Sequence, residues 1–267
     1  MRKYMIQLDY HLHCLNSPDS KESLEAICQA AIQKDLKEIM VTDHYEMFTD
    51  DYGRNPYRSD YLDQCFDTVL KCREKYRDQL YVGFGIELGQ LHLQPDAAAR
   101  IVKEYPFDYV IASLHKLDDL DLKYYDYSRT DVRDLCRRYL NGLNEIAEIG
   151  DFDCIGHMDL IKRYAAEQGY QIRIEDEEET VRKILRTLVE RKKGLEVNTS
   201  GIRQKVGECF PSEIILKWYV EEGGKFATVG SDAHCGRNVG EGLTEADKLL
   251  NKVGFLHVDR FRSRVRI

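Results

Sequence analysis

The sequence lacks the features that mark membrane, exported and multidomain proteins. No run approaches the roughly 20 apolar residues needed to span a bilayer. Residues 1–14 carry charge but no apolar stretch of the kind found in signal peptides, so we expect a cytoplasmic protein that does not enter a membrane. Only five prolines are spread over 267 residues, and no linker is evident. We therefore predict a single domain covering residues 1–267.

Positive charge is also scarce, and several common catalytic motifs are missing. The chain has 39 Lys and Arg residues against 47 Asp and Glu residues, a formal net charge of −8. Nucleic acids and anionic membranes bind basic faces, so we expect neither as a partner. The eight cysteines form no CxxC pair and are interpreted as reduced thiols. The phosphate loop GxxxxGK[ST], the nucleophile elbow GxSxG and the zinc motif HExxH are all absent.

What the chain does have is an alternation of short apolar runs with longer segments of helical periodicity. The runs are short enough for buried strands and cover residues 5–13, 38–43, 81–88, 109–115, 154–157, 194–198 and 226–231. Amphipathic spacing predicts helices over residues 23–34, 131–149 and 174–191. Seven strand–helix units indicate a parallel α/β sheet. For one domain, a closed or distorted barrel is favoured over an open doubly wound sheet, although the pattern alone leaves both open.

Histidines and carboxylates concentrate where these predicted strands end. Two imidazoles lie two residues apart in His11-x-His13, so a strand presents both on one face. In a barrel, the C-terminal ends of the strands meet and carry the chemistry. Imidazole and carboxylate ligands without thiolates suit catalytic Zn²⁺, Mn²⁺ or Fe ions. The residues at or just beyond the strand ends are His11, His13, His44, Glu87, His115, His157, Asp232 and His234.

The order of these residues resembles the PHP (polymerase and histidinol phosphatase) superfamily. The segments DYHLH from Asp9, GHMDLIKR from Gly156 to Arg163 and NTSGIR from Asn198 to Arg203 resemble its monofunctional histidinol-phosphatase branch. The resemblance covers nearly the whole chain. It implies a distorted, TIM-barrel-like (β/α)7 barrel with a metal site at the C-terminal ends of the strands.

The resemblance also implies a trinuclear centre with up to three divalent ions, Zn, Mn or Fe. The first ion would be held by His11, His13, Glu87 and Asp232. Glu87 would bridge to a second ion, held also by His115 and His157, and Asp19, His44 and His234 would hold the third. Asp19 departs from the pattern, since other superfamily members have histidine there. A metal-bridging hydroxide, held by Glu87 and its metals, would be the attacking group.

Four further residues are predicted around this centre. Arg163 and Arg203 follow strand ends and match the phosphatase branch, so we predict that they bind the substrate phosphate in a bidentate way. Asp43 and Asp159 are predicted to orient ligand histidines. For Asp43, a turn or capping role is given equal weight.

The implied activity is hydrolysis of L-histidinol phosphate to L-histidinol and phosphate, a step of histidine biosynthesis. A PHP phosphoesterase acting on another small phosphate ester is the alternative. A PHP nuclease-type module is less favoured because the chain has no basic stripe. A non-catalytic binding module would be expected to have lost ligands, whereas all nine positions are kept. The sequence leaves a homo-oligomeric state open.

Overall fold

The computed structural model describes residues 6–48, 57 and 59–267. The strands are β1 (Leu8–Leu12), β2 (Glu38–Val41), β3 (His44–Glu46), β4 (Tyr81–Gly89), β5 (Tyr109–Ser113), β6 (Lys116–Leu117), β7 (Leu120–Asp121), β8 (Cys154–Ile155), β9 (Gly194–Asn198), β10 (Ala227–Gly230), β11 (Phe261–Arg262) and β12 (Val265–Arg266). The α-helices are α1 (Leu24–Gln33), α2 (Tyr61–Tyr76), α3 (Pro95–Glu104), α4 (Val132–Ile149), α5 (Ile161–Glu167), α6 (Glu178–Glu190), α7 (Glu213–Glu221) and α8 (Leu243–Val253).

Seven parallel strands form a nearly closed barrel with the order β1-β2-β4-β5-β8-β9-β10. The short β3 continues the direction of β2 and pairs with the end of β4. This arrangement confirms the distorted (β/α)7 barrel, and all seven predicted strands are present. The predicted first strand began at Met5, which lies outside the described residues. The sequence did not predict β3 or the two small hairpins.

Local capping explains where two of the predicted helices begin. The Ser23 side chain accepts a hydrogen bond from the backbone N–H of Ala26, and this bond starts α1. Asp131 accepts from the backbone N–H groups of Arg133 and Asp134 at the start of α4. The third predicted helix, residues 174–191, differs at its start: the first turn is a 3₁₀ helix, Ile174–Glu177, before α6.

The core has two layers of unequal size. A large layer lies between the strands and the surrounding helices. A small layer fills the inside of the barrel with buried apolar and aromatic residues, namely Leu8, Tyr10, Met40, Tyr109, Ile111, Cys154 and Phe261. Phe261 enters from the hairpin β11–β12, and its ring centroid lies 5.1 Å from that of Tyr109. Below, the upper end of the barrel means the C-terminal ends of its strands, and the lower end means their N-terminal ends.

A seam between β1 and β10 closes the barrel. The backbone N–H of His13 donates to the Ala233 carbonyl over 2.8 Å, and the N–H of Asp232 donates to the His11 carbonyl over 2.7 Å. The Asp9 carboxylate accepts from the N–H of Ser231, 222 residues away in sequence. Asp232 adopts a left-handed backbone with φ of 54°, a strained conformation of the kind that clusters at functional sites. The seam therefore brings two pairs of predicted ligands together.

The lower end is closed by ion pairs with residues 260–266. Glu38 receives a bidentate pair from Arg262, at 2.6 and 2.9 Å, and a further bond from Arg260. Arg264 reaches Asp153, which lies just before β8. Arg266 Nε lies 3.5 Å from Asp259. Each of these three carboxylates, Glu38, Asp153 and Asp259, therefore has a permanently charged arginine partner.

Among the residues that the structure describes, no helix combines the length and the apolar character needed to cross a membrane. None of the eight cysteines is in a disulfide, and all but Cys235 are buried.

Candidate metal centre

The upper end of the barrel gathers the nine residues that the sequence predicts as ligands. They come from the ends of β1, β4, β5, β8 and β10, from β3, and from the loop that follows β1. Within the described residues, their side-chain nitrogen and oxygen atoms form several groups of three whose members lie within 4.8 Å of one another. The parallel register places these strand ends at one level, which explains why residues so distant in sequence meet here.

Glu87 lies at the centre of this cluster and is fully buried. Its Oε1 atom is 2.8 Å from His157 Nε2 and 3.2 Å from His115 Nε2. Its Oε2 atom is 2.8 Å from His44 Nδ1 and 3.3 Å from His11 Nε2. One carboxylate therefore faces two separate sets of imidazoles, which is the geometry of a bridging ligand.

The two aspartates lie on either side of His234. Asp232 Oδ1 is 3.4 Å from His13 Nε2 and 3.9 Å from His11 Nε2. Asp19 Oδ2 is 3.1 Å from His234 Nε2 and 3.4 Å from His44 Nε2. The side chain of Asp19 is 55 % exposed, whereas Asp232 is buried. Asp19 thus joins the cluster at its open, solvent-facing edge.

The unsatisfied atoms of the cluster show that these residues fit divalent metal ions. Oε2 of Glu87 is buried and accepts no hydrogen bond in the described part of the chain. His11 Nε2 and His13 Nε2 lie 3.1 Å apart and both face carboxylates. Zinc binds such nitrogen and oxygen ligands at about 2.0–2.2 Å, so ligand atoms around one ion lie roughly 3–4 Å apart. The observed separations match that spacing.

Charge interactions within the cluster also fit a site for divalent cations. Burial opposes ionisation of Glu87, but His11, His44 and His115 outweigh it and hold its pKa well below the usual value. Burial also opposes a charged His44, yet Glu87 and Asp19 raise the pKa of His44 to about 10. Burial and the neighbouring His44 and His234 instead lower the pKa of His13. The carboxylates therefore stabilise concentrated positive charge at the centre of the site.

Two glutamates that the sequence analysis missed hold the outward-facing nitrogens of ligand histidines. Glu196 Oε1 lies 2.6 Å from His11 Nδ1. Glu46 Oε1 lies 2.7 Å from His115 Nδ1. A signal for Glu46 was present, because His44-x-Glu46 repeats the spacing of His11-x-His13. The strand alternation applied to the two histidines places Glu46 on the same face as His44.

Asp43 and Asp159, both predicted to orient ligand histidines, have different contacts in the structure. Asp43 accepts a hydrogen bond from Ser17 Oγ over 2.9 Å, and Ser17 Oγ in turn lies 3.2 Å from His13 Nδ1. Its link to a ligand histidine thus runs through a hydroxyl. Asp159 instead accepts from the backbone N–H of Ser212 and from Lys162 Nζ. Among the described contacts, its carboxylate touches none of the predicted histidine ligands.

A cavity of about 630 Å³ opens above the cluster. His44, His115, His157, Asp232 and His234 form its polar floor, and its walls carry the aromatic residues Phe48, Tyr57, Tyr61 and Tyr164. This volume suits a small molecule and is too small for a folded macromolecule.

The two predicted phosphate-binding arginines differ in position. Arg163 lines the cavity wall. Arg203 lies behind Asp232 and donates from Nη2 to the Asp232 carbonyl over 2.8 Å. Its Nη1 is buried and has no hydrogen-bond partner among the described residues. The sequence thus located both arginines near the centre, but only Arg163 reaches the cavity.

Comparison with known proteins gives concordant matches. A family model described as the PHP domain matches residues 9–200. The chain is 28% identical to the histidinol-phosphatase of Lactococcus lactis over 96% of this chain and 95% of that protein. It is also 28% identical to a probable histidinol-phosphatase of Thermotoga maritima, over 93% of each chain.

Among solved structures, the histidinol phosphate phosphatase of Lactococcus lactis, complexed with zinc, L-histidinol and phosphate, superposes with a TM-score of 0.85. It is 26% identical in sequence, and the match covers 99% of this chain and 100% of that one. A structure from Listeria monocytogenes, 22% identical, shares the fold with a TM-score of 0.77 and is covered over 99% of its length, against 89% of this chain.

Proposed function

The chain belongs to the PHP domain family, and from that premise we propose that it is a metal-dependent histidinol-phosphatase. It hydrolyses L-histidinol phosphate to L-histidinol and phosphate, a step of histidine biosynthesis. The observation that carries this proposal is the cavity whose floor is the histidine and carboxylate cluster. The relative that binds zinc, L-histidinol and phosphate shares this fold over the full length of both chains, which supports the choice of substrate.

The metal centre is proposed to be trinuclear, with Zn, Mn or Fe as the ions. The first set of ligands is His11, His13, Glu87 and Asp232, the second is Glu87, His115 and His157, and the third is Asp19, His44 and His234. This division is the one that the resemblance implies, and ligand atoms within each set lie between 2.8 and 3.4 Å from one another in the contacts His11–Glu87, His13–Asp232, His157–Glu87 and His234–Asp19. Divalent ions held by these residues would supply Lewis acidity, which makes water a nucleophile at neutral pH and offsets the phosphate charge.

The residues of the chain supply orientation around that chemistry. Glu87 presents its two oxygens to separate imidazole sets, so it fixes the spacing between them. Ser113 Oγ donates to Glu87 Oε1 over 2.6 Å and restrains the carboxylate plane. A rigid, buried arrangement of this kind needs no rearrangement when charge develops on the phosphate oxygens, which is the basis of electrostatic preorganisation.

Arg163 is proposed to bind the phosphate oxygens from the cavity wall. Its side chain is 30 % exposed and has two weak contacts: Nε lies 3.5 Å from Glu167 Oε1, and the guanidinium lies 5.1 Å from the centroid of the Tyr164 ring. It can therefore turn toward an anion at small cost. Arg203 is proposed to contribute to phosphate binding from behind Asp232, through Nη1, which has no hydrogen-bond partner in the described part of the chain. A planar guanidinium suits phosphate because it donates two parallel hydrogen bonds.

We further propose that residues 1–267 act as one domain in the cytoplasm. The family model ends at residue 200, but Asp232 and His234 lie beyond it and belong to the same cluster. The ligand set is therefore incomplete without β10 and the residues that follow it. The absence of disulfides among eight cysteines supports a reducing compartment.

A substrate panel on metal-replete protein tests the proposal. Phosphate release is measured from L-histidinol phosphate, from other small phosphomonoesters, from p-nitrophenyl phosphate and from a single-stranded DNA oligonucleotide. We expect kcat/KM for L-histidinol phosphate to exceed that for the aryl ester by at least about 100-fold, because binding energy from the whole substrate is used in the transition state. Equal values for the two esters would overturn the substrate assignment, and hydrolysis of DNA alone would favour the nuclease alternative.

A further inference from the structure

Glu46, Gln90 and His115 form a closed ring of hydrogen bonds at the rim of the cavity. Glu46 Oε1 lies 2.7 Å from His115 Nδ1, and Gln90 Nε2 donates to the other oxygen, Oε2, of Glu46. Gln90 Oε1 then accepts from the backbone N–H of His115 over 2.6 Å. The ring thus holds both the imidazole and the backbone of the same histidine.

The local backbone is shaped to admit this ring. Glu46 in β3 is paired with Gly89 in β4, and a Cβ atom at Gly89 would stand only 2.5 Å from Glu46 Cδ. Gly89 has no positive φ, so what the glycine provides is space for the Glu46 carboxylate in its present position, and not backbone freedom. Gln90, the next residue, adopts a left-handed conformation with φ of 53°, which is uncommon for a residue with a side chain.

The ring fixes what His115 can present to the centre of the site. With a metal ion at Nε2, the imidazole would be neutral and would carry its proton on Nδ1, where the Glu46 carboxylate accepts it. His115 Nε2 lies 3.2 Å from Glu87 Oε1 and 3.4 Å from His157 Nε2. The same contact that orients the ring therefore also leaves its inner nitrogen free to ligate.

From this geometry we propose that Glu46 is a positioning residue, which with Gln90 holds His115 in the tautomer and orientation that bind the metal ion shared with Glu87 and His157. The inference rests on the proposed function in that it assumes a metal at this place. Glu46 lines the cavity, but its proposed role is exerted through His115 and not through the substrate.

The test measures zinc affinity, with no substrate present. Zinc-loaded wild type, Glu46→Gln and Glu46→Ala are equilibrated with graded concentrations of a competing chelator, and the zinc retained per chain is counted by mass spectrometry. Loss of a carboxylate behind a ligand histidine typically weakens metal binding about 10- to 100-fold. We expect Glu46→Ala to lose one zinc equivalent in that range and Glu46→Gln, which still offers an acceptor, to lose it less readily.

A matched control separates this role from the general effect of a negative charge. Asp121 also lines the cavity, but it hydrogen-bonds to the backbone N–H of Lys123. Asp121→Asn removes the same charge from the same cavity, and we expect its zinc retention to equal that of wild type. If Asp121→Asn weakens zinc binding as much as Glu46→Gln, or if both Glu46 variants retain zinc like wild type, the proposal is wrong.

Gly89→Ala provides a second, independent variant. The added methyl group forces the Glu46 carboxylate to move. We therefore expect Gly89→Ala alone to bind zinc more weakly than wild type, and the double variant Gly89→Ala, Glu46→Ala to bind it no more weakly than Glu46→Ala. Such non-additivity is the signature of two residues acting through one contact. Additive losses would contradict the proposal.

A spectroscopic readout reports the tautomer directly. In zinc-loaded protein labelled with ¹⁵N-histidine, we expect the Nδ1 proton of His115 to exchange slowly with solvent in wild type and much faster in Glu46→Ala, because the hydrogen bond to Glu46 is lost. Equally slow exchange in Glu46→Ala would overturn the proposal. Both readouts are independent of turnover, so a protein that binds zinc as expected but fails on L-histidinol phosphate would refute the proposed substrate and leave this inference standing.

Discussion

The two ends of the barrel carry buried carboxylates and neutralise them in opposite ways. At the lower end, Glu38 faces Arg260 and Arg262, and Asp153 faces Arg264. At the upper end, Glu87 and Asp232 face histidines and no arginine within 4 Å among the described ion pairs. The guanidinium group keeps its charge at all relevant pH values, whereas imidazoles can give up theirs. The lower end is therefore complete within the chain, and the upper end is built to receive cations from outside.

This difference separates stability from activity along one axis of the molecule. A lower-end pair holds strands together whatever the solution contains. The upper-end cluster would be satisfied only when ions replace the protons, which explains why buried atoms such as Glu87 Oε2 have no hydrogen bond among the described residues. Four predictions test whether the lower end serves stability and the upper end serves activity. Failure of any one would count against this separation.

Removing metal should produce the largest effect, and only at the upper end. After dialysis against a chelator, we expect phosphate release from L-histidinol phosphate to fall at least about 10³-fold, since bound ions supply several kcal/mol of transition-state stabilisation. Far-UV circular dichroism should stay unchanged because the lower end holds the barrel. Activity should return with Zn²⁺, Mn²⁺ or Fe²⁺. Full activity with well under one metal equivalent per chain would contradict the metal-dependent mechanism.

Replacing a buried glutamate with glutamine should lower activity at the upper end and stability at the lower end. We expect Glu87→Gln to lower kcat at least about 100-fold, because it removes the charge that bridges two ligand sets. Glu38→Gln should leave kcat unchanged and cost about 2 kcal/mol of unfolding free energy, since it weakens charged hydrogen bonds to two arginines. Urea unfolding and steady-state kinetics on both variants measure the two effects. A loss of activity in Glu38→Gln without a loss of stability would break the comparison.

Replacing an arginine should likewise affect substrate binding at the upper end and stability at the lower end, with smaller effects than the glutamate substitutions. Arg163→Ala should lower kcat/KM for L-histidinol phosphate about 30-fold, the equivalent of about 2 kcal/mol, mainly through KM. Arg262→Ala should leave KM unchanged and lower the unfolding midpoint in urea. The same pair of measurements applied to Arg203→Ala shows whether its buried Nη1 contributes to binding. Unchanged KM and kcat in Arg163→Ala would refute its proposed role.

The smallest effect is a pH dependence of stability that belongs to the lower end. Burial opposes ionisation of Glu38, but Arg262, Tyr10 and Arg260 outweigh it and lower its pKa from 4.5. A carboxyl whose pKa is lower in the folded state contributes stability above about pH 4.5 and loses it as the pH falls through the folded-state pKa. The difference in unfolding free energy between wild type and Glu38→Gln should therefore shrink between pH 5 and lower values. A difference that grows on acidification would have the wrong sign.

The sequence predicted the upper end far better than the lower end. Paired spacings such as His11-x-His13 and Asp232-x-His234 indicate that two side chains share one face of a strand. Side chains alternate between the two faces of any strand, so this inference needs no tertiary information. The fold and the membership of the PHP family were also predicted and are confirmed. Glu196 was missed because a glutamate inside a strand is weakly informative until the fold places it behind His11. Glu46 was missed, although its spacing from His44 is visible in the sequence, because β3 itself was not predicted.

The lower end could not be predicted because its contacts join distant segments. Arg260, Arg262 and Arg264 look like solvated charges in the sequence. Their partners at the starts of β2 and β8 become visible only once the hairpin β11–β12 has folded under the barrel. The position of Phe261 could not be predicted for the same reason, because no neighbouring residue in the sequence indicates that it packs inside the barrel.

The seam between β1 and β10 has a consequence for the time course of folding. Its contacts join residues as much as 222 positions apart, and long-range contacts form slowly because the chain entropy lost on closing a long loop comes before any gain. His11 and Asp232 stand on opposite sides of that seam. The metal-binding cluster therefore forms only once these long-range contacts are made, and an ion that binds across it would stabilise the closed barrel because it binds the folded chain and not the unfolded one.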